Sequence, residues 1–179
     1  ANGANCPGEM IRAAIGEVEQ FARIELGPLP EVMVQGLLAA DVAHMLAELL
    51  DNATQFSAPS TLVTVTARTT ADGIEIEIAD EGIGMGDDQL AEANAVLAEP
   101  PLNGLTLSRS LGFIVVGRLA ERHQVQVQLM PSPMGTGVVA TVGLPRSVLV
   151  LDTGGSEAST VGPTAAATIA PSPPVLSAA

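Results

Sequence analysis

Gly73 to Gly86 reads GIEIEIADEGIGMG. Its first half alternates strictly. Ile74, Ile76 and Ile78 fall on one face and Glu75 and Glu77 on the other, the pattern of a half-buried β-strand. The strand ends on a carboxylate, Asp80, and runs into a glycine-rich turn. Immediately upstream, Thr61 to Arg68 alternates in the same way, and Ala71-Asp72-Gly73 forms a tight turn between the two. The product is a hairpin with one wet face and one dry face, and the dry face needs a cover.

Helical spacing elsewhere in the chain supplies it. Glu9 to Phe21 carries apolar residues at Met10, Ile11, Ala14, Ile15 and Val18. Glu31 to Phe56 is expected to be one long helix, with a stripe running through Val34, Leu38, Val42, Met45, Leu49 and Phe56, stopped by Pro59. Asp87 is expected to cap a short helix through about Ala98, and Ser110 to Arg122 is a further apolar helix. Arg23 to Leu26, Val125 to Leu129 and Val138 to Leu144 read as strands. Strands in antiparallel pairs with helices on one side predict a two-layer α/β (α+β) sandwich with a mostly antiparallel sheet.

Composition narrows the function. The 179 residues carry a net charge of −13, all seven basic residues are Arg, and aromatics are 2% with no Trp or Tyr. Such a chain repels phosphate backbones and anionic lipid surfaces and lacks a base-stacking platform, so nucleic acid and direct membrane contact are not expected. One cysteine, Cys6, forms no intrachain disulfide, which fits a reducing, cytoplasmic setting. Residues 1–150 are expected to fold. Residues 151–179, rich in Gly, Ser, Thr, Ala and Pro, are expected to form a disordered low-complexity tail. The chain starts without Met, as a piece of a longer protein would.

Two stretches carry chemistry. In Glu48-Leu49-Leu50-Asp51-Asn52-Ala53, Glu48 and Asn52 are four apart and share one helix face with His44 and Gln55. An Asn carbonyl with a nearby carboxylate suits a hard cation such as Mg²⁺, and a carboxylate there can orient or deprotonate a water. The same stretch also describes an ordinary solvated helix face. In Asp80-Glu81-Gly82-Ile83-Gly84-Met85, a strand-end carboxylate can accept from an exocyclic amine, and the glycines admit close approach of a ligand. Alone, this is also a plain turn into a helix.

Together, in this order and about 28 residues apart, the two stretches resemble the GHKL ATPases: gyrase-type enzymes, Hsp90-like chaperones, histidine kinases and mismatch-repair ATPases. LAELLDNATQFS (Leu46–Ser57) and LGFIVVGRLAERH (Leu111–His123) resemble the ATP-binding domain of sensor-like histidine kinases of actinobacterial conservon type. The likeness covers about Ile11 to Pro145. It implies the Bergerat fold, a mixed sheet with helices on one face, binding ATP and Mg²⁺. By the same resemblance, Asn52 binds Mg²⁺, and Glu48 stands at a position that serves as general base in gyrase-like members and joins the metal site. Asp80 takes the adenine amino group, and Gly82, Gly84 and Met85 surround the nucleotide. Gly112 stands next to the phosphates, while Thr136 and Thr141 belong to the last turn and strand of the site; beside the resemblance, Arg109 is expected to add charge there in a chain without Lys.

The sequence departs from the family at Ser108-Arg109-Ser110-Leu111-Gly112-Phe113, which keeps only the last glycine of its usual motif, and at Gln55, where kinases usually carry a basic residue. The implied function is transfer of the ATP γ-phosphoryl group to a histidine outside this segment. That requires a histidine-bearing dimerisation domain and a response or small signalling protein as partners. The alternatives are a degenerate nucleotide-sensing or interaction module without kinase activity, and a gyrase-like ATP hydrolase. His44 lacks the context of a phosphoacceptor, and His123 reads as a helix-terminal residue favoured by the dipole. Gly86 to Arg109, between the glycine motifs, is expected to be a mobile lid.

Overall fold

The computed structural model of the chain describes residues 4–102 and 110–150. The expected tail and Arg109 lie outside the described residues. In chain order the elements are β1 (Ala4–Asn5), α1 (Pro7–Glu17), β2 (Ile24–Leu26), β3 (Met33–Gln35), α2 (Gly36–Phe56), β4 (Val63–Thr70), β5 (Gly73–Asp80), α3 (Asp87–Ala98), α4 (Ser110–His123), β6 (Gln126–Pro131), β7 (Val138–Pro145) and β8 (Leu149–Val150).

Five strands form one sheet in the order β2-β4-β5-β7-β6, with β2 parallel to β4 and every other pair antiparallel. The register places Ile74, Ile76 and Ile78 opposite Leu144, Val142 and Ala140. These residues form one continuous apolar face, and they join Met45, Leu46 and Leu50 of α2 and Val116 of α4 in a single core. Glu75, Glu77, Thr141 and Gln128 fall on the opposite face, where Arg68 pairs with Glu75. The two-layer sandwich with helices on one face is therefore the observed architecture.

A second, three-stranded sheet, β1-β3-β8, was not expected. It takes Met33–Gln35 out of the helix that the spacing extended back to Glu31. Val34 is buried between two exposed neighbours, a period of two that was too short to stand out, and antiparallel pairing with β1 and β8 satisfies its backbone. The first helix likewise ends at Glu17, short of Phe21. Residues 21–23 turn as a 3₁₀ helix, and Phe21 is 62% exposed.

Gly86, not Asp87, caps α3, and its N–H donates to Oε1 of Gln89. The helical half of the expected lid is firmly packed. Leu90, Ala93 and Leu97 are buried. Asn94 donates from Nδ2 to the Leu129 carbonyl at 2.9 Å and accepts the Leu129 N–H at 2.8 Å, occupying the free edge of β6 as another strand would. Gly117 of α4 permits the close contact, since a Cβ there would lie 2.9 Å from the Leu97 carbonyl oxygen. Residues 87–98 of the expected lid thus pack on α4 and β6 through Leu90, Ala93, Leu97 and Asn94, while residues 103–109 lie outside the described residues.

Candidate functional site

A cleft of about 370 Å³ opens where the C-terminal half of α2, α3 and the first turn of α4 face the ends of β5 and β7. Its walls are mostly apolar: Leu49, Ala53 and Phe56 from α2, Ile78 from β5, Ala93 and Val96 from α3, Phe113 from α4, and Val138 and Ala140 from β7. Polar side chains enter it at few places, among them Asn52, Asp80, Gln89 and Glu92. A concave apolar cleft with a few placed polar groups is what a small organic ligand requires.

Asp80 is only 8% exposed. Oδ1 accepts the Gly82 N–H at 2.8 Å and the Val138 N–H at 3.2 Å. Two backbone donors on one oxygen fix the plane of the side-chain carboxyl group. Asp80 also lines the cleft, where a carboxylate oxygen can accept but not donate. The loops that hold it lie against each other. Gly137 has φ +100°, and a Cβ there would lie 2.0 Å from the Asp80 carbonyl oxygen, so no other residue fits. At Gly84, with φ +82°, an added Cβ would lie 3.6 Å from the Gly137 backbone.

Asn52 stands on α2, one turn beyond Glu48. Gly112, in the first turn of α4, lies directly over both. A Cβ at 112 would be 3.0 Å from Glu48 Oε2 and 3.4 Å from Asn52 Nδ2. Glu48 and Asn52 are thus half-covered by α4, while His44 and Gln55 of the same stripe stay exposed. Asn52 Nδ2 is buried without a hydrogen-bond partner, which is a costly state for an amide donor. The amide offers a carbonyl oxygen for a hard cation and an N–H for an anionic oxygen. With the Glu48 carboxylate this is a small oxygen donor set of the kind Mg²⁺ uses when phosphates and waters supply the rest, so the residues present fit Mg²⁺. Behind Glu48, His44 Nε2 lies 3.5 Å from Oε1. Burial pushes the Asp51 carboxyl above its ordinary range; the charges of Glu48 and Glu19 act in the same direction, against a hydrogen bond from the Glu19 backbone.

The structure brings together Asp80, Gly84, Met85 and Asn52 in the cleft, with Gly82 against Asp80 and Gly112 and Glu48 at the Asn52 end. It does not bring in Thr141. That side chain sits on the outer face of the sheet, opposite Glu77, with its hydroxyl 3.4 Å from the Gln128 carbonyl. The residues of β7 that line the cleft are Val138 and Ala140, which share the inward face with Val142 and Leu144 and not with Thr141. Thr136 is exposed in the loop before β7 and does not line the cleft, whereas its neighbour Gly137 abuts Asp80. Arg109 lies outside the described residues. The Val138 amide and the α3 wall escaped the sequence reading. The first is a backbone group without a side-chain signal, whereas the spacing of Leu90, Ala93 and Leu97 carried one for the second.

Residues 38–148 match the family described as histidine kinase-, DNA gyrase B-, and HSP90-like ATPases, and the chain belongs to that family. Among curated proteins it is similar to the sensor-like histidine kinase SenX3 of Mycolicibacterium smegmatis, at 28% identity over 114 residues, covering 63% of this chain and 28% of that protein. SenX3 of Mycobacterium tuberculosis is 29% identical over 105 residues, 58% of this chain and 25% of the relative. The chain thus spans about a quarter of the length of these relatives. Among solved structures it is similar to the mycobacterial sensor histidine kinase MprB, with a TM-score of 0.62 at 20% identity over 81% of this chain and 97% of that one. It also resembles the ATP binding domain of PrrB from Mycobacterium tuberculosis, with a TM-score of 0.59 at 24% identity over 80% of this chain and 96% of that one. These likenesses show a shared fold. Among the described residues, no helix is long and apolar enough to cross a membrane.

Proposed function

We propose that this chain is the ATP·Mg²⁺-binding catalytic domain of a sensor-like histidine kinase. It transfers the γ-phosphoryl group to a histidine on a dimerisation domain outside this segment, in the cytoplasm, for relay to a response or small signalling protein. The observation that carries the reading is the pairing of a fixed, buried acceptor, Asp80, at one end of an apolar cleft with a buried, unpartnered amide, Asn52, at the other. Asp80 accepts the adenine amine; Ile78, Met85, Phe56 and Ala140 hold the ring. Gly82 and Gly84 shape the turn at the base, and Gly112 opens the phosphate end, where Arg109 would add positive charge. Asn52 and Glu48 would hold Mg²⁺, which neutralises phosphate charge when bound. Phosphoryl transfer needs little covalent chemistry from the protein beyond such positioning.

The test uses the full-length parent with γ-labelled ATP. Label should enter an acid-labile phosphohistidine, and Asn52→Ala should abolish it. Absence of label in a parent that binds ATP would overturn the kinase reading.

One observation favours a second reading, ATP hydrolysis. Glu48 is a carboxylate rather than an amide, its Oε2 faces Gly112, and His44 stands behind its Oε1. That arrangement suits a base that aligns a water. Steady phosphate release by this chain alone, lost in Glu48→Gln, would support it over transfer.

A further inference from the structure

The last carbonyls of an α-helix have no partner within the helix. At the C-terminus of α2 a side chain from outside the helix meets them. Arg23, in the turn before β2, donates from Nη1 to the Thr54 carbonyl at 2.8 Å and from Nη2 to the Ala58 carbonyl at 2.7 Å and the Ser57 hydroxyl. Its Nε donates to the Thr61 carbonyl at 3.0 Å, and Nη1 also donates to Gln20 Oε1 at 2.6 Å. A guanidinium has five N–H groups, and these contacts use all five. Its charge also suits the negative end of the helix dipole.

The held end of α2 is a wall of the cleft. Phe56 lines it, and the Phe56 carbonyl oxygen lies 2.8 Å from where a Gly82 Cβ would stand, with Ser57 Cα at 3.2 Å. The same point lies 2.9 Å from Asp80 Oδ1, to which Gly82 donates its N–H. Gly82 therefore packs against both the α2 terminus and the Asp80 carboxylate. The α2 terminus and the Asp80 carboxylate thus meet at Gly82, whose N–H bonds the carboxylate.

We propose that Arg23 is a positioning residue for the base end of the nucleotide site, setting the Asp80 carboxylate through the α2 terminus and Gly82. The inference rests on the nucleotide reading of the cleft. It also adds a route by which residues 20–26, which precede the 38–148 family match, bear on affinity. The base end takes the effect first because Phe56 and Ser57, which face Gly82, lie between the held Thr54 and Ala58 carbonyls, whereas Asn52 precedes both.

Arg23→Lys tests it, since an ammonium has three donors and cannot reproduce the five-fold grip. Calorimetry on the folded variant should show adenosine and ATP·Mg²⁺ weakened by the same factor, about tenfold. Asn52→Ala should weaken ATP·Mg²⁺ and leave adenosine unchanged. Independently of any nucleotide, amide exchange at Gly82 should quicken about tenfold in Arg23→Lys, with the β6–β7 ladder unchanged. A role in stability alone would speed all core amides together and leave adenosine affinity intact. Ser57→Ala, which removes one of the acceptors, should move Gly82 exchange in the same direction by less, and serves if Arg23→Lys fails to fold. Unchanged Gly82 exchange in a folded variant overturns the proposal. A wild-type chain that binds neither adenosine nor ATP sinks the nucleotide reading instead, and exchange at Gly82 still decides whether Arg23 sets that loop.

Discussion

Val138 donates its backbone N–H to Oδ1 of Asp80 at 3.2 Å, across 58 residues of sequence. The contact ties the start of β7 to the end of β5 and, with the Gly82 N–H, saturates one carboxylate oxygen from the protein side. Whatever Asp80 recognises must be a donor.

Asp80→Asn should therefore change the kind of base bound as well as the strength. The Asn carbonyl keeps the two amides, because only an acceptor can sit there, and its NH₂ is turned toward the ligand. Affinity for ATP should fall by about 1–3 kcal/mol. The preference for ATP over ITP, which carries a carbonyl at the corresponding ring position, should shrink or reverse. Asp80→Ala should weaken both without reversing them. Competitive titration of the two nucleotides reads this, and an unchanged ATP:ITP ratio in Asp80→Asn would refute the base assignment.

Much of this site was legible in the sequence for a physical reason. Alternation of Ile with Glu from Gly73 to Asp80 fixes both the strand and the face of Asp80, and a four-residue spacing fixes the alignment of Glu48 with Asn52. Neither depends on distant parts of the chain. Thr141 was misread because strand register decides its face, and register is set by pairing with Glu77 and Gln128, which a linear pattern does not reveal. The Val138 donor is a backbone group and carries no side-chain signature. Strand β3 was lost for a similar reason, since three residues beside a helix start have no period long enough to detect.

Two glycines of α4 make opposite predictions. At Gly117 an added Cβ meets backbone, the Leu97 and Val96 carbonyl oxygens at 2.9 and 3.0 Å. Gly117→Ala should push α3 off α4 and cost about 1–3 kcal/mol of stability. At Gly112 the Cβ meets the mobile end of Glu48 at 3.0 Å. Glu48 can move aside, and Ala is the better helix former by about 1 kcal/mol, so Gly112→Ala should hold or raise the melting temperature. The methyl group would nonetheless fill the space over Asn52, and ATP·Mg²⁺ affinity should drop. A melting temperature that falls more in Gly112→Ala than in Gly117→Ala would contradict this packing.

Acid stability separates two carboxylates of α2. A hydrogen bond from His123, whose Nε2 is 2.6 Å from Oδ2, lowers the Asp41 carboxyl below its ordinary 3.8; burial opposes this, and the charges of His123 and Arg122 reinforce it. A lowered folded value means the stabilisation is complete above pH 3.8 and is lost as pH falls through the folded value. Asp51 is raised, so its neutral form is favoured in the fold. Stability from that source is present at low pH and is lost as pH rises through the folded value. Asp41→Asn should destabilise at pH 6 and lose that effect near pH 2, by under about 1 kcal/mol for so exposed a pair. Asp51→Asn should stabilise at pH 7 and converge with wild type in acid. Urea midpoints against pH for both variants check the two signs, and parallel curves would contradict them.

The phosphate end predicts a strict cation requirement. Among the described residues none of the six arginines lines the cleft: Arg23 holds the end of α2, Arg68 pairs with Glu75, Arg118 donates to the Pro101 carbonyl and Arg122 pairs with Asp41, while Arg12 and Arg146 lie outside the lining. The chain carries −13 overall. A triphosphate entering beside Glu48 and Glu92 meets like charge at short range, where screening by salt is least effective. Asn52 contributes dipole but no charge. Chelation of Mg²⁺ with EDTA should therefore weaken ATP by at least about tenfold while leaving adenosine, which has no phosphate, untouched. Asn52→Ala should weaken ATP·Mg²⁺ similarly and should add little once the cation has been removed, because both changes delete the same interaction. Calorimetry with and without EDTA on the two proteins closes that cycle. Equal ATP affinity in EDTA and Mg²⁺, or full additivity of the two losses, would show that Asn52 serves the fold rather than the cation.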